Sequence, residues 1–238
     1  MKLETHHAPR PKTAPKKEWS WSFSKLKNYE ICPKRHYEVD IAKSTPDAGG
    51  EALEWGNAVH DTLRDVLRDN APLPASMADY AYWVDRVRRG SGTLLVEQQY
   101  AITRMFEPTA YFAKNAWYRA KGDVVRINGN VGLVLDWKTG KVVDDEIAGV
   151  QLVLMAQCLF SHFPELTHVR SSYVWLKDDC ETPELYTREE IAAKWVTLLP
   201  RVQAMEKAAQ DQNFPPKPGH LCKKWCPVAS CPHHGKGR

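Results

Sequence analysis

The chain has 238 residues, 43% of them hydrophobic and 26% charged, with a formal net charge of +4, a composition that excludes collagen-like, wholly disordered and membrane-embedded classes. Its longest apolar stretch, residues 148–160, is interrupted by Gln151 and Gln157 and is too short to span a bilayer. With no secretory h-region after Met1, the expectation is a cytoplasmic protein whose six cysteines serve metal binding before disulfides.

Residues 1–18 carry Lys2, Arg10, Lys12, Lys16 and Lys17 against Glu4 and Glu18, which leaves the remainder near neutrality and predicts a disordered basic tail. Residues 25–31 follow as a short helix, with Ser22 or Ser24 able to cap it and Cys32-Pro33 to end it. Gly49-Gly50 precedes a long helical pattern over residues 51–68, in which Leu53, His60, Leu63 and Leu67 share a stripe. A second helix is predicted over 77–89, up to the breaker Gly90-Ser91-Gly92. Strand patterns then occupy 93–103, 117–127 and 131–138, the last two separated by the hairpin signal Asn128-Gly129-Asn130. Residues 148–163 read as a mostly buried helix, 167–177 as a strand and 184–186 as a short one. Thr187-Arg188-Glu189-Glu190 opens a final helix to about residue 210, and Pro215, Pro216 and Pro218 lead into a Cys-rich end. This order predicts an α/β fold with helices flanking a central mixed sheet.

A two-residue turn at Asn128-Gly129 would set Asp123 opposite Val134, with Asp136 a diagonal neighbour on the same face and Lys138 two residues further along it. Two carboxylates so placed can share a Mg²⁺ or Mn²⁺ ion, and a lysine beside them can orient or help deprotonate a water. The other face of that strand carries Val131, Leu133, Leu135 and Trp137, as a core would require. The hairpin alone fits equally a polar surface closed by a Thr-Gly turn.

Gly122-Asp123, thirteen residues before Asp136-Trp137-Lys138-Thr139-Gly140, resembles the core of RecB-type nucleases in the PD-(D/E)XK superfamily. Gly56-Asn57-Ala58-Val59-His60 is similar to that family's upstream G-x-x-x-H helix, and Gln151 opens a helix in the place of its Q-x-x-x-Y motif. The resemblance implies a restriction-endonuclease-like core. It implies His60, Asp123 and Asp136 as side-chain metal ligands, the Trp137 carbonyl as a backbone ligand, Lys138 as the catalytic lysine, and Gln151 as a positioner of that lysine or of the DNA backbone. Glu97, on the strand before the hairpin, is a lesser candidate. Met155 stands where the family has its tyrosine.

Cys222, Cys226 and Cys231 lie within fifteen residues of one another near the end, in LCKKWCPVASCPHHG, and Cys32 lies far upstream. One plus three cysteines resembles the iron–sulfur nucleases among RecB relatives, such as AddB and the CRISPR-associated RecB-like exonucleases, and implies a [4Fe–4S] cluster joining the two chain ends. Thiolates bind Zn²⁺ as naturally, and His220, His233 and His234 keep a Cys/His zinc site open. Cys158 and Cys180 read as ordinary residues.

With these motifs the organisation expected is a tail (1–18) and one nuclease domain (19–238), comprising a helical part (19–90), the core (91–212) and the Cys-rich end (213–238). The function expected is a metal-dependent deoxyribonuclease, an exonuclease by resemblance, working on linear or single-stranded DNA ends in recombination, repair or phage DNA metabolism. No G-x-x-x-x-G-K-[ST] occurs, so any motor would come from a helicase or recombination partner. The alternatives are a non-catalytic nucleic-acid-binding module and a zinc-finger-like regulator, which leave the Asp123, Asp136 and Lys138 set unexplained.

Overall fold

The computed structural model describes residues 18–47, 49–142 and 146–236, without the side chains of residues 146–148. The tail expected over residues 1–18 lies outside the described residues, apart from Glu18. In chain order the regular elements are α1 (Phe23–Ile31), α2 (Pro33–His36), α3 (Glu51–Arg68), α4 (Ala81–Arg89), β1 (Thr93–Ile102), β2 (Pro108–Thr109), β3 (Tyr118–Asn128), β4 (Val131–Lys138), α5 (Glu146–His162), β5 (His168–Trp175), β6 (Cys180–Thr187) and α6 (Arg188–Gln210).

The six strands form one sheet in the order β2-β1-β3-β4-β5-β6. The β4–β5 pair is parallel and the other pairs are antiparallel, so the sheet is mixed, as expected. Parallel neighbours need a crossover, and α5 supplies it. One face is covered by α1, α5 and α6 over a core containing Trp21, Trp117, Val134, Leu154 and Trp195. The other is covered by α3 and α4, with Val59, Leu63, Trp83 and Val87 against Val124, Leu135 and Trp137. Among the described residues no helix is long and apolar enough to cross a membrane.

Local chemistry accounts for the element ends. Cys32 closes α1 in an extended conformation and Pro33 starts a new turn. Ser22 occupies the N-cap of α1, but its hydroxyl pairs with that of Ser24 and not with the helix backbone. Thr187 and Glu190 form a reciprocal capping box on α6, and Arg188 donates to the carbonyls of Phe160, Phe163, Pro164 and Leu166 just past α5.

Several expectations need correction. The hairpin turn is Gly129-Asn130, because Asn128 pairs with Val131. Gly129 takes φ +57° at the first turn position, where a glycine-first hairpin turn needs it. The register therefore slides by two, and Asp123 lies one residue beyond the last pair, Val124↔Leu135, next to Asp136. Leu53 is exposed, and the buried stripe of α3 is Val59, Leu63, Val66 and Leu67. Residues 75–80 form a separate 3₁₀ segment before α4, with Met77 non-helical between them. The edge strand β6 begins at Cys180, not at Glu184, and β2 had no sequence signal. Of the apolar set on β4, Leu135 and Trp137 are buried while Val131 is exposed.

Strict alternation also fails at one place. Leu95 and Val125 pack toward α5, and so do Tyr100, Ile102, Tyr118 and Ala120, whereas Val96 and Val124 pack toward α3. Side chains of β1 and β3 thus exchange faces between residues 96 and 100 and between 124 and 120. At that crossing Glu97 has φ +56°, and the ladder between Val96↔Val124 and Gln98↔Gly122 skips the intervening pair, Glu97 and Asp123.

Candidate active site

The crossing brings together residues that three elements carry. His60 on α3, Glu97 on β1 and Asp123 on β3 each place a ligand atom within 4.8 Å of the others. His60 Nδ1 lies 3.3 Å from Asp123 Oδ1, and the backbone N–H of Trp137 donates to Asp123 Oδ2 at 2.9 Å. The Asp123 carboxylate thus occupies a ladder position that a backbone carbonyl would otherwise fill. Gly56, one turn before His60, admits Thr139: a Cβ there would lie 3.3 Å from Thr139 Oγ1.

Asp136 sits next to this group and is nine-tenths buried. Gln151 Nε2 donates to its Oδ1 at 2.6 Å, and Lys138 Nζ donates to Gln151 Oε1 at 3.0 Å. Lys138 Nζ is also 2.6 Å from Asp136 Oδ2, without hydrogen-bond geometry, so that oxygen has no donor. Gln151 is held by accepting from lysine and giving to carboxylate at once, which leaves one orientation for its amide.

Burial pushes the Asp136 carboxyl up to about 6, against the opposing charge of Lys138 and with the help of Asp123. Burial pulls the His60 imidazolium down, but the hydrogen bond and charge of Asp123 outweigh it and the net shift is upward. Carboxylates crowded in a dry place with protons held against them describe a site that a divalent cation relieves. The donor set is hard oxygen plus one imidazole, and the buried Asp136 Oδ2 and Glu97 Oε2 each face a lysine ammonium, Lys138 and Lys121; these residues fit Mg²⁺ or Mn²⁺.

The sequence profile of the PD-(D/E)XK nuclease superfamily matches residues 20–232. The chain belongs to that superfamily. A solved structure from Eubacterium rectale, described as a "Putative exonuclease", superposes with a TM-score of 0.54 at 14% identity, over 87% of this chain and 86% of that one. SSO0001 aligns with a TM-score of 0.46 at 12% identity, over 93% and 90% of the two chains. No curated protein matches the sequence. The likeness to the Eubacterium rectale structure, at 14% identity, concerns the fold alone.

Within this PD-(D/E)XK chain every site residue anticipated on β3, β4 and α5 lies in one neighbourhood, joined by His60 from α3. Glu97, the lesser candidate, lies beside His60 and Asp123. Two neighbours had no sequence signal. Tyr173 on β5 donates its hydroxyl to Gln151 Oε1 at 3.4 Å, and Lys138 Nζ lies 4.7 Å from its ring centroid. Parallel pairing of Asp136 with Tyr173 sets it there, and sequence gives no sign of which strands will be neighbours. Lys121 forms an ion pair with Glu97. Met155, at the family's tyrosine position, is buried against Gly122, where a Cβ would come 2.9 Å from its Cε.

At the chain ends, all four anticipated cysteines line one pocket of about 410 Å³ together with His220, His233 and His234. The backbone N–H groups of Lys217 and Gly219 point at the sulfurs of Cys32 and Cys222, at 3.3 and 3.5 Å. Burial pushes the Cys226 thiol up, against a hydrogen bond from the Val228 backbone, and the neighbouring Cys222 and Cys32 push it the same way. Arg201 bridges α6 to Glu30 at 2.6 Å, and Lys217 Nζ donates to the Glu30 carbonyl at 2.7 Å. The two ends of the described chain are therefore held side by side by protein contacts. Cys158 is buried within α5, and Cys180 opens β6.

Proposed function

We propose that this chain is a Mg²⁺- or Mn²⁺-dependent deoxyribonuclease that degrades DNA from an end. The observation carrying the reading is the pair of contact sets His60–Asp123 and Asp136–Gln151–Lys138, which meet where the Trp137 backbone N–H, next to Asp136, donates to Asp123. In this reading His60, Asp123, Asp136 and the Trp137 carbonyl hold the ion, which when bound lowers the pKa of a water and neutralises phosphate charge. Lys138 orients the attacking water and faces the developing negative charge, and Gln151 fixes the lysine relative to Asp136. Because a binding module needs none of this polar arrangement, catalysis is the simpler account of it. The test uses end-labelled linear single- and double-stranded DNA and a closed circle, with Mg²⁺, Mn²⁺ or chelator. Metal-dependent loss of the linear forms with the circle spared is expected; equal cutting of the circle would replace the exonuclease with an endonuclease.

The four cysteines hold, in the same proposal, a [4Fe–4S] cluster that staples the ends. Zinc is the alternative ligand. A tetrahedral zinc with bonds of about 2.3 Å needs sulfurs within roughly 4 Å of one another, and among the described residues no three cysteine sulfurs meet even within 4.8 Å. Backbone N–H donors aimed at two sulfurs suit thiolates of a larger group. The activity belongs, in this proposal, to recombination or repair, with any helicase supplied by a partner.

Two further outcomes arise here. Metal binding must displace the protons that His60 and Asp136 hold, so affinity for Mn²⁺ falls on acidification, first through the raised His60 value and again near pH 6. Titration calorimetry between pH 5.5 and 8.5 measures it, and a pH-independent affinity contradicts the ligand assignment. Tyr173→Phe removes a hydroxyl that steadies Gln151 and lowers turnover by roughly 2- to 10-fold, the worth of one hydrogen bond, with Mn²⁺ affinity unchanged. An unaltered turnover under saturating metal would remove Tyr173 from the positioning role.

A further inference from the structure

Glu97 is a residue with an unusual backbone in an unusual place. A non-glycine side chain at φ +56° sits in the left-handed region that strand residues avoid, and here it interrupts an otherwise continuous β1–β3 ladder. The strain accompanies a definite result. β1 and β3 exchange faces at this point, and the Glu97 carboxylate comes within 4.8 Å of ligand atoms on His60 and Asp123. The side chain is 8% exposed, and its buried Oε2 is in contact with the Lys121 ammonium. The charge facing it is Lys121, two residues before Asp123, whose side chain is 51% exposed.

We propose that Glu97 is a ligand of the divalent ion and that Lys121 competes with the ion for it. The proposal rests on the reading of the site as a metal-dependent centre, and it adds a ligand that the G-x-x-x-H, D and D-x-K motifs do not contain. A buried carboxylate beside Asp123 and Asp136 needs a cation. Lys121 is long, flexible and half in water, so it neutralises Glu97 while the ion is absent and swings to solvent when the ion takes the oxygen. Lys138, tied to Gln151 and Asp136, stays. The pair makes loading reversible at low cost, because the site never holds three uncompensated carboxylates.

The prediction is a pair of opposite shifts. Glu97→Gln weakens Mn²⁺ binding by about 10- to 100-fold, and Lys121→Met tightens it by several-fold. Glu97→Gly, which accepts the positive φ without strain, weakens binding like Glu97→Gln while its melting temperature in chelator is no lower than wild type. The experiment titrates Mn²⁺ into the full chain after chelator treatment and reads free Mn²⁺ by electron paramagnetic resonance, with no DNA present. Wild-type affinities for Glu97→Gln and Lys121→Met, beside normal wild-type binding, overturn this inference and leave the centre intact. So does a weakened Lys121→Met. Failure of the wild type itself to bind Mn²⁺ overturns both the inference and the metal-dependent reading beneath it.

Discussion

Asp136→Asn is expected to lower DNA cleavage by roughly 10³-fold or more, while the metal-free protein melts no lower than wild type and at pH 8 melts higher. The loss of activity follows from removing the carboxylate that contacts both Gln151 and Lys138 and that the reading assigns to the ion. The stability gain follows from the direction of its titration. Burial raises the Asp136 carboxyl to about 6 in the folded chain from 3.8. Between those values the folded state binds more protons than the unfolded state, so metal-free stability falls as pH rises through that window and stays lower above it. Asparagine removes the buried charge and recovers on the order of 1–3 kcal/mol at pH 8. Below pH 4 wild type and variant should converge. Cleavage assays and melting in chelator at pH 4, 6 and 8 check both halves; a variant that melts lower at pH 8 would show that Asp136 serves the fold and not the ion.

The second large effect is expected at the other end of the molecule. Cys226→Ser should lose the metal group and loosen the junction of the chain ends, because a structural metal site contributes binding free energy directly to folding. Cys226 is the thiol that burial and its neighbours Cys222 and Cys32 hold in its protonated form, so removing the metal leaves a crowded, poorly solvated pocket. Iron, sulfide and zinc analysis of anaerobically purified protein, with visible absorbance and thermal melting, measures it. Lost iron with a lower melting temperature is the expected result. Zinc in the wild type would replace the cluster, and unchanged metal content in the variant would remove the four-cysteine site. The ion pair of Arg201 with Glu30 and the bond from Lys217 Nζ to the Glu30 carbonyl remain in the variant, so the ends loosen without separating.

The local signals in the sequence were sufficient for the elements that carry chemistry. Period-3.6 spacing located α3 with His60 on it, the Asn-Gly-Asn break located the β3–β4 hairpin, and Thr187 with Glu190 located the start of α6. Asp136 and Lys138 were legible because a slide of two residues in the hairpin register leaves the side chains of β4 on their faces, whereas Asp123 reaches the same neighbourhood from the crossing in β3, where it accepts from the Trp137 N–H. What was not legible depends on tertiary neighbours. Tyr173 reaches Gln151 only because β5 lies parallel to β4, and that adjacency is written in no local pattern. Glu97 was visible as an acid on a strand, but its position in the centre depends on a left-handed residue inside that strand, which contradicts strand propensity. Leu53 illustrates the reverse: a residue on the apolar stripe read in α3 is exposed, because burial on that helix begins only at Val59.

The account stands or falls most directly on single-turnover cleavage of end-labelled linear DNA as a function of Mn²⁺ concentration, for the wild type and Lys138→Met. It predicts a saturable requirement for the ion, no cleavage in chelator, and a variant whose rate at saturating Mn²⁺ falls by roughly 10²- to 10⁴-fold with an unchanged Mn²⁺ midpoint. Cleavage that persists in chelator, or a Lys138→Met variant cutting at the wild-type rate, would contradict it.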